Sequence, residues 1–165
     1  MSGDGFTGIA VIGGGTMGVG IAYVAALAGM AVAVVEPDAG RAEVMRRTIE
    51  QTVASAIGRG KLDRAGGDAL ARRITRVAAV EDLAEGLSLI VESIPERIDL
   101  KLDVLARCAA RRPRLLASNT SALSIDRLSQ AVADTPPSSA CISSIPSGRS
   151  SWSSWCAARR LRTMR

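Results

Sequence analysis

The sequence predicts a doubly wound α/β fold with a parallel sheet, and three observations carry that prediction. Short apolar runs alternate with helical stretches over most of its 165 residues. The first run is followed by Gly13, Gly15 and Gly18 in G-x-G-x-x-G register, and the second ends on an acid, Glu36.

Residues 7–12 (TGIAVI) are apolar and partly β-branched, as a strand buried on both faces requires. A helix follows to about Leu27, with Gly29 placed to end it. The run 31–35 (AVAVV) is a second buried strand. Residues 39–79 read as mostly helical, with Val44, Ile49, Val53 and Ile57 as the apolar face and solvated Arg41, Arg46 and Arg47. The stretch 58–63 and Gly66–Gly67 divide that region into pieces. A strand is expected over 88–91, a helix from Pro95 to Ala110, a strand over 115–118 and a short helix over 124–132.

Composition narrows the function classes. With 47% hydrophobic and 22% charged residues, the chain has the material for one packed core. Charged Glu36 and Asp38 interrupt the most apolar stretch, so no membrane span is expected. The first residues lack a basic segment and a long apolar segment, so a cytoplasmic location is the expectation. Cys108, Cys141 and Cys156 lack metal-ligand spacing, so no metal site is expected. The net charge of +5 arises wholly from residues 137–165, which hold five arginines and no acid. Such an arm suits phosphate in nucleic acid or an anionic membrane, but aromatic interleaving is too sparse for that, and neither partner is expected.

In the fingerprint each glycine has a distinct task. Gly13 permits the tight turn, Gly15 lets backbone approach a pyrophosphate, and Gly18 allows close helix–strand packing. Thr16 and Met17 complete the loop at the helix N-terminus, whose free N–H groups and dipole suit phosphate. Glu36 is placed to accept hydrogen bonds from ribose hydroxyls, and its charge repels a 2′-phosphate, which favours NAD over NADP. The competing reading is a glycine-rich turn without function.

Two further segments, ESIPERIDLK at 92–101 and ASNTSAL at 117–123, follow predicted strand ends. Together with VIGGGTMGVGIA they resemble the L-3-hydroxyacyl-CoA dehydrogenase family, including the bacterial 3-hydroxybutyryl-CoA dehydrogenases, over about 130 residues in the expected order. The resemblance implies a Rossmann-like NAD-binding domain over 1–136 and an NAD-dependent oxidation of 3-hydroxyacyl-CoA to 3-oxoacyl-CoA, as in fatty-acid oxidation or butanoate metabolism. It places Glu96 and Lys101 beside the nicotinamide end of NAD and the CoA portion of the substrate. It places Asn119 and Ser121 at the nicotinamide and the substrate's 3-oxygen. Read from the residues alone, Lys101 is equally a solvated helix lysine, 119–123 a loop leading into a helix, and Glu92 a cap for a neighbouring helix.

The family's base is a histidine in an HFFNP-like segment, and a helical C-terminal domain completes the acyl-CoA pocket and the homodimer. This chain has no histidine. The Ser-, Arg- and Trp-rich residues 137–165 match neither feature and read as a disordered or irregular tail on a truncated domain, with the dimerisation domain absent. A shifted reading frame accounts for this. Taking the third base of each codon with the first two of the next, residues 141–147 can encode HFFNPV. The frame is therefore expected to be lost near Pro136–Pro137, and the nucleotide sequence of codons 134–145 checks it; an intact frame there contradicts the expectation. The alternative outcome for function is an NAD-binding fragment without catalysis.

Overall fold

The computed structural model describes residues 8–132 and the backbone of 142–144. Six parallel strands form one sheet in the order β3-β2-β1-β4-β5-β6. These are β1 (Ile9–Ile12), β2 (Val32–Val35), β3 (Ile74–Val77), β4 (Leu89–Glu92), β5 (Leu116–Ser118) and β6 (Ile142–Ser144). The helices are α1 (Thr16–Leu27), α2 (Ala39–Gly58), α3 (Arg64–Arg72), α4 (Ile98–Ala110) and α5 (Ile125–Ser129).

The central strand β1 is apolar throughout because it supplies two cores. Ile9 and Val11 pack with Val19, Ala22, Met45, Ile49, Val53 and Leu70 of α1–α3. Ala10 and Ile12 pack with Leu105, Cys108 and Leu128 of α4 and α5, on the opposite face. Burial pushes the Cys108 thiol up to about 12, so it stays neutral and packs as an apolar group.

Helix starts follow from their caps. Asp38 accepts from Arg41 N–H at 2.7 Å and Asp63 from Gly66 N–H at 2.7 Å, which begins α2 and α3. On α2 the ion pairs Glu43–Arg46, Glu43–Arg47 and Arg46–Glu50 face solvent, while Ala42, Met45, Ile49, Val53 and Ala56 face the sheet.

Several expectations change. The region 39–79 is not helical to its end, because Ile74–Val77 forms the edge strand β3. An edge strand has one neighbour, and here its exposed middle residues, Thr75 and Arg76, break the apolar run that marks the inner strands. Gly66 and Gly67 lie inside α3, where Gly67 fits against Ile57 and Val53, at 2.7 and 2.9 Å from a would-be Cβ. Val44 is 63% exposed; Ala42 and Met45 hold the buried positions instead. The helix expected from Pro95 starts three residues later, at Ile98. The sheet also extends one strand further than expected, since the backbone of 142–144 pairs with β5. The remaining residues of the 137–165 segment lie outside the described residues.

Among the described residues no helix is long and apolar enough to cross a membrane, and no group of three or more His, Cys, Asp or Glu side chains could hold a metal ion.

Candidate functional site

The strand order reverses between β1 and β4, and there the carboxyl ends of adjacent strands open a crevice. Gly13, Glu36, Ser93 and Asn119 each directly follow a strand on its rim. Backbone bonds tie these ends together: Gly13 N–H to Val35 O at 2.9 Å, Ser93 N–H to Ile12 O at 2.8 Å, and Asn119 N–H to Glu92 O at 2.7 Å.

The glycine loop occupies the β1 side. Gly13 adopts φ +105°, and a Cβ there would stand 2.6 Å from Ser93 O. A Cβ on Gly18 would meet Gly13 O at 1.9 Å, so α1 can pack against the turn only through glycine. Gly15 differs, for nothing lies within 4 Å of its would-be Cβ. It is the N-cap of α1, which has no side-chain cap and no acid in its first turn. Thr16 and Met17 follow it and are exposed. Open space above unfilled helix-terminal N–H groups is a cradle for an anionic group such as a pyrophosphate.

Glu36 is 5% exposed and turned toward this loop. Its carboxylate accepts from Gly14 N–H at 3.1 Å, Asp38 N–H at 3.2 Å and Arg41 Nε at 3.1 Å. The edge strand adds Arg76, whose Nε donates to Glu36 O at 3.0 Å and whose Nη2 donates to Pro37 O at 3.2 Å.

On the β4–β5 side a buried ionic cluster underlies the rim. Lys101, 0% exposed, donates to Glu92 Oε1 at 2.6 Å and to Ile94 O at 3.2 Å, and stands 3.4 Å from Glu96 Oε2. Glu92, also fully buried, further accepts from Ile94 N–H at 2.7 Å and from the Ser118 hydroxyl. Lys101 is thus not a solvated lysine, and Glu92 caps no helix; it joins β4, β5 and α4 at one point. Glu96 carries the cluster to the surface. It accepts from the Thr120 hydroxyl at 3.0 Å and from Ser121 N–H at 2.8 Å, which holds the 119–121 loop over the crevice. Asn119 Nδ2 donates to Ser93 Oγ at 3.4 Å, while Ser121 is exposed.

Burial pushes the Glu96 carboxyl up, but the Ser121 and Thr120 hydrogen bonds and the Lys101 charge outweigh it and hold the group below the usual carboxylate range. A lowered acid contributes stability above its unfolded value that is lost as pH falls through the folded one. The Glu96 side chain is 38% exposed, so solvent screens this effect and keeps it small. We expect the 120–121 loop to loosen before the core as pH falls through and below the ordinary carboxylate range. Ser121 amide exchange against pH checks it; protection unchanged to the acid unfolding point would contradict it.

The structure thus brings Gly13, Gly15, Thr16, Met17, Gly18 and Glu36 to one side of the crevice and Glu96, Lys101, Asn119 and Ser121 to the other. Thr120, Ser118 and Arg76 carry no motif of their own in the sequence. Arg41, expected to be solvated, is 72% exposed and also donates to Glu36, a partner its place in the first turn after that acid signals.

A parallel sheet in this order, an open glycine cradle and a carboxylate directly after β2 define a dinucleotide-binding α/β domain. Residues 8–140 match the family described as 3-hydroxyacyl-CoA dehydrogenase, NAD binding domain, and the chain belongs to that family. It is 34% identical over 125 residues to a 3-hydroxybutyryl-CoA dehydrogenase of Bradyrhizobium diazoefficiens, covering 74% of this chain and 42% of that protein. It is 37% identical over 122 residues to a 3-hydroxyadipyl-CoA dehydrogenase of Escherichia coli, covering 71% of this chain and 25% of the relative. The crystal structure of 3-hydroxybutyryl-CoA dehydrogenase from Escherichia coli superposes with a TM-score of 0.75 at 30% identity, over 86% of this chain and 30% of that one. The chain therefore spans less than half the length of these relatives.

Proposed function

We propose that this chain is the NAD-binding domain of an NAD-dependent L-3-hydroxyacyl-CoA dehydrogenase, and that these 165 residues alone bind NAD without turning over. The open cradle at Gly15, facing the Glu36 carboxylate across the loop, is the observation that carries the cofactor reading. The donor set fits NAD. Backbone N–H groups of 15–17 would hold the pyrophosphate, and Glu36 would accept from the adenosine ribose hydroxyls. Asn119 and Ser121 would stand at the nicotinamide and the substrate's 3-oxygen, positioned by Glu96 from below. Lys101 would act through Glu96, as its own ammonium is enclosed.

When bound, NAD supplies the hydride acceptor. The same reaction must also take a proton from the 3-hydroxyl near neutral pH, a task for a group such as imidazole. This chain has no histidine, which favours binding without catalysis. In this reading residues 1–136 are the cofactor domain, to whose sheet the backbone of 142–144 adds an edge strand. The acyl-CoA pocket and a homodimer interface belong to the helical domain implied by the family, and a cytoplasmic setting in fatty-acid or butanoate metabolism is part of the same proposal.

Titration with NADH, followed by acetoacetyl-CoA reduction monitored through NADH absorbance, tests both halves. We expect saturable NADH binding and no turnover. Turnover would establish a complete enzyme, and a folded chain that fails to bind would overturn the cofactor reading. The site itself is tested by Gly15→Val. Because open space surrounds that position, the variant should melt close to the parent while NADH affinity falls about tenfold or more. Unchanged affinity would remove the pyrophosphate from this loop.

A further inference from the structure

One buried carboxylate has no place in the chemistry described so far. Glu92 ends β4 and is fully buried, and donors reach it from several directions. Its Oε1 accepts from Lys101 Nζ of α4 at 2.6 Å and from Ile94 N–H at 2.7 Å, and its Oε2 accepts from the Ser118 hydroxyl at the end of β5. Its main-chain carbonyl accepts from Asn119 N–H at 2.7 Å. Asn119 therefore hangs from Glu92 directly, and Ser121 hangs from it through Lys101 and Glu96. Among the described residues no side-chain bond of Glu92, Lys101, Glu96 or Ser118 reaches the glycine loop or Glu36. Stability alone does not account for such a group, since a buried ion pair is often no better than apolar residues of the same volume. What it supplies is a fixed position, because a carboxylate whose lone pairs are filled from several elements sets where each of them stands.

We propose that Glu92 is a positioning residue for the nicotinamide half of the cofactor site. The inference rests on the dinucleotide reading given above and deepens it. An open α/β sheet binds a dinucleotide across the point where its strand order reverses. With the pyrophosphate at the α1 N-terminus and the adenosine toward β2, the nicotinamide riboside lies over the ends of β4 and β5. Asn119 and Ser121 stand there, and Glu92 fixes both from beneath without touching the ligand. Its charge holds the Lys101 ammonium 3.4 Å from Glu96 rather than in full contact. Without that charge Lys101 turns to Glu96 as its remaining carboxylate and draws it away from Thr120 and Ser121 N–H. The adenosine half, anchored on β1 and β2, keeps its geometry.

The test titrates the full chain and its Glu92→Gln variant with NADH and with ADP-ribose by calorimetry, and records a melting curve for each. ADP-ribose has the adenosine, the pyrophosphate and the second ribose but no nicotinamide. The parent should bind NADH the more tightly. Glu92→Gln keeps the shape of the side chain; it should lose NADH affinity by about tenfold or more while ADP-ribose affinity stays within about twofold. A folded variant in which both affinities fall alike, or neither falls, overturns the proposal, because a merely structural carboxylate does not single out one half of the site. Should Glu92→Gln melt without cooperativity, Lys101→Met/Glu92→Gln removes both buried charges and restores the fold, yet leaves Glu96 without the cation beneath it. There too NADH affinity should stay low beside an unchanged ADP-ribose affinity, and NADH affinity that returns with stability overturns the proposal. A folded parent that binds neither ligand overturns the dinucleotide reading, whereas a parent that binds NADH no better than ADP-ribose overturns this inference alone.

Discussion

Gly18→Ala is expected to destabilise the chain by about 3 kcal/mol or more, whereas Gly20→Ala, two residues along the same helix, should raise stability by about 0.5–1 kcal/mol. The two sites share backbone geometry, so helix propensity alone predicts the same small gain for each. They differ in what surrounds the new methyl group. At Gly18 it would be driven to 1.9 Å from the Gly13 carbonyl oxygen, which cannot yield, because Gly13 itself is wedged against Ser93 O. At Gly20 nothing lies within 4 Å. Relief at Gly18 would require α1 to lift from β1 and carry Val19 and Ala22 out of their core. Thermal or denaturant melting of the two variants checks this. A Gly18→Ala chain as stable as Gly20→Ala would show that the turn and helix are not locked together.

Lys101→Met is expected to cost about 3–5 kcal/mol, because it leaves the Glu92 carboxylate buried without its cation. The loss should come from that stranded charge rather than from the missing pair. Glu92→Gln in the Lys101→Met background should therefore recover much of the stability, so the double variant is less damaged than the sum of the two single ones. Strictly additive effects would contradict this. The same variant should loosen Ser121 at the surface, since the 3.4 Å contact from Lys101 helps hold Glu96 under the loop. Amide exchange at Ser121 reads that consequence separately from global melting.

How much the sequence discloses depends on how local the signal is. The unit β1–α1–β2 is legible nearly to the residue. An apolar run, three glycines in register and an acid after the next run all lie within one short stretch. The edge strand β3 escapes, as among the described residues it pairs with β2 alone and its middle residues face water. On the site side, Glu96, Lys101, Asn119 and Ser121 are reached through resemblance, and the structure gathers Glu96, Asn119 and Ser121 on one rim with Lys101 buried beneath it. What resemblance does not supply is the order of support: Glu92 beneath Lys101, Lys101 beneath Glu96, Glu96 beneath Thr120 and Ser121. Residues 92 and 118 sit 26 apart, and only strand register makes them neighbours. The double claim on Glu36, by Arg41 from a helix and Arg76 from the edge strand, is hidden for the same reason.

The central claim is that the glycine cradle opposite Glu36 binds NAD in this chain. The measurement that tests it most directly is an NADH titration of the folded chain beside Gly15→Val, each with its melting curve. The claim predicts saturable binding by the parent and about tenfold or more weaker binding by a variant that melts at nearly the same temperature. A folded parent that does not bind NADH, or a Gly15→Val chain that binds it equally well, would contradict it.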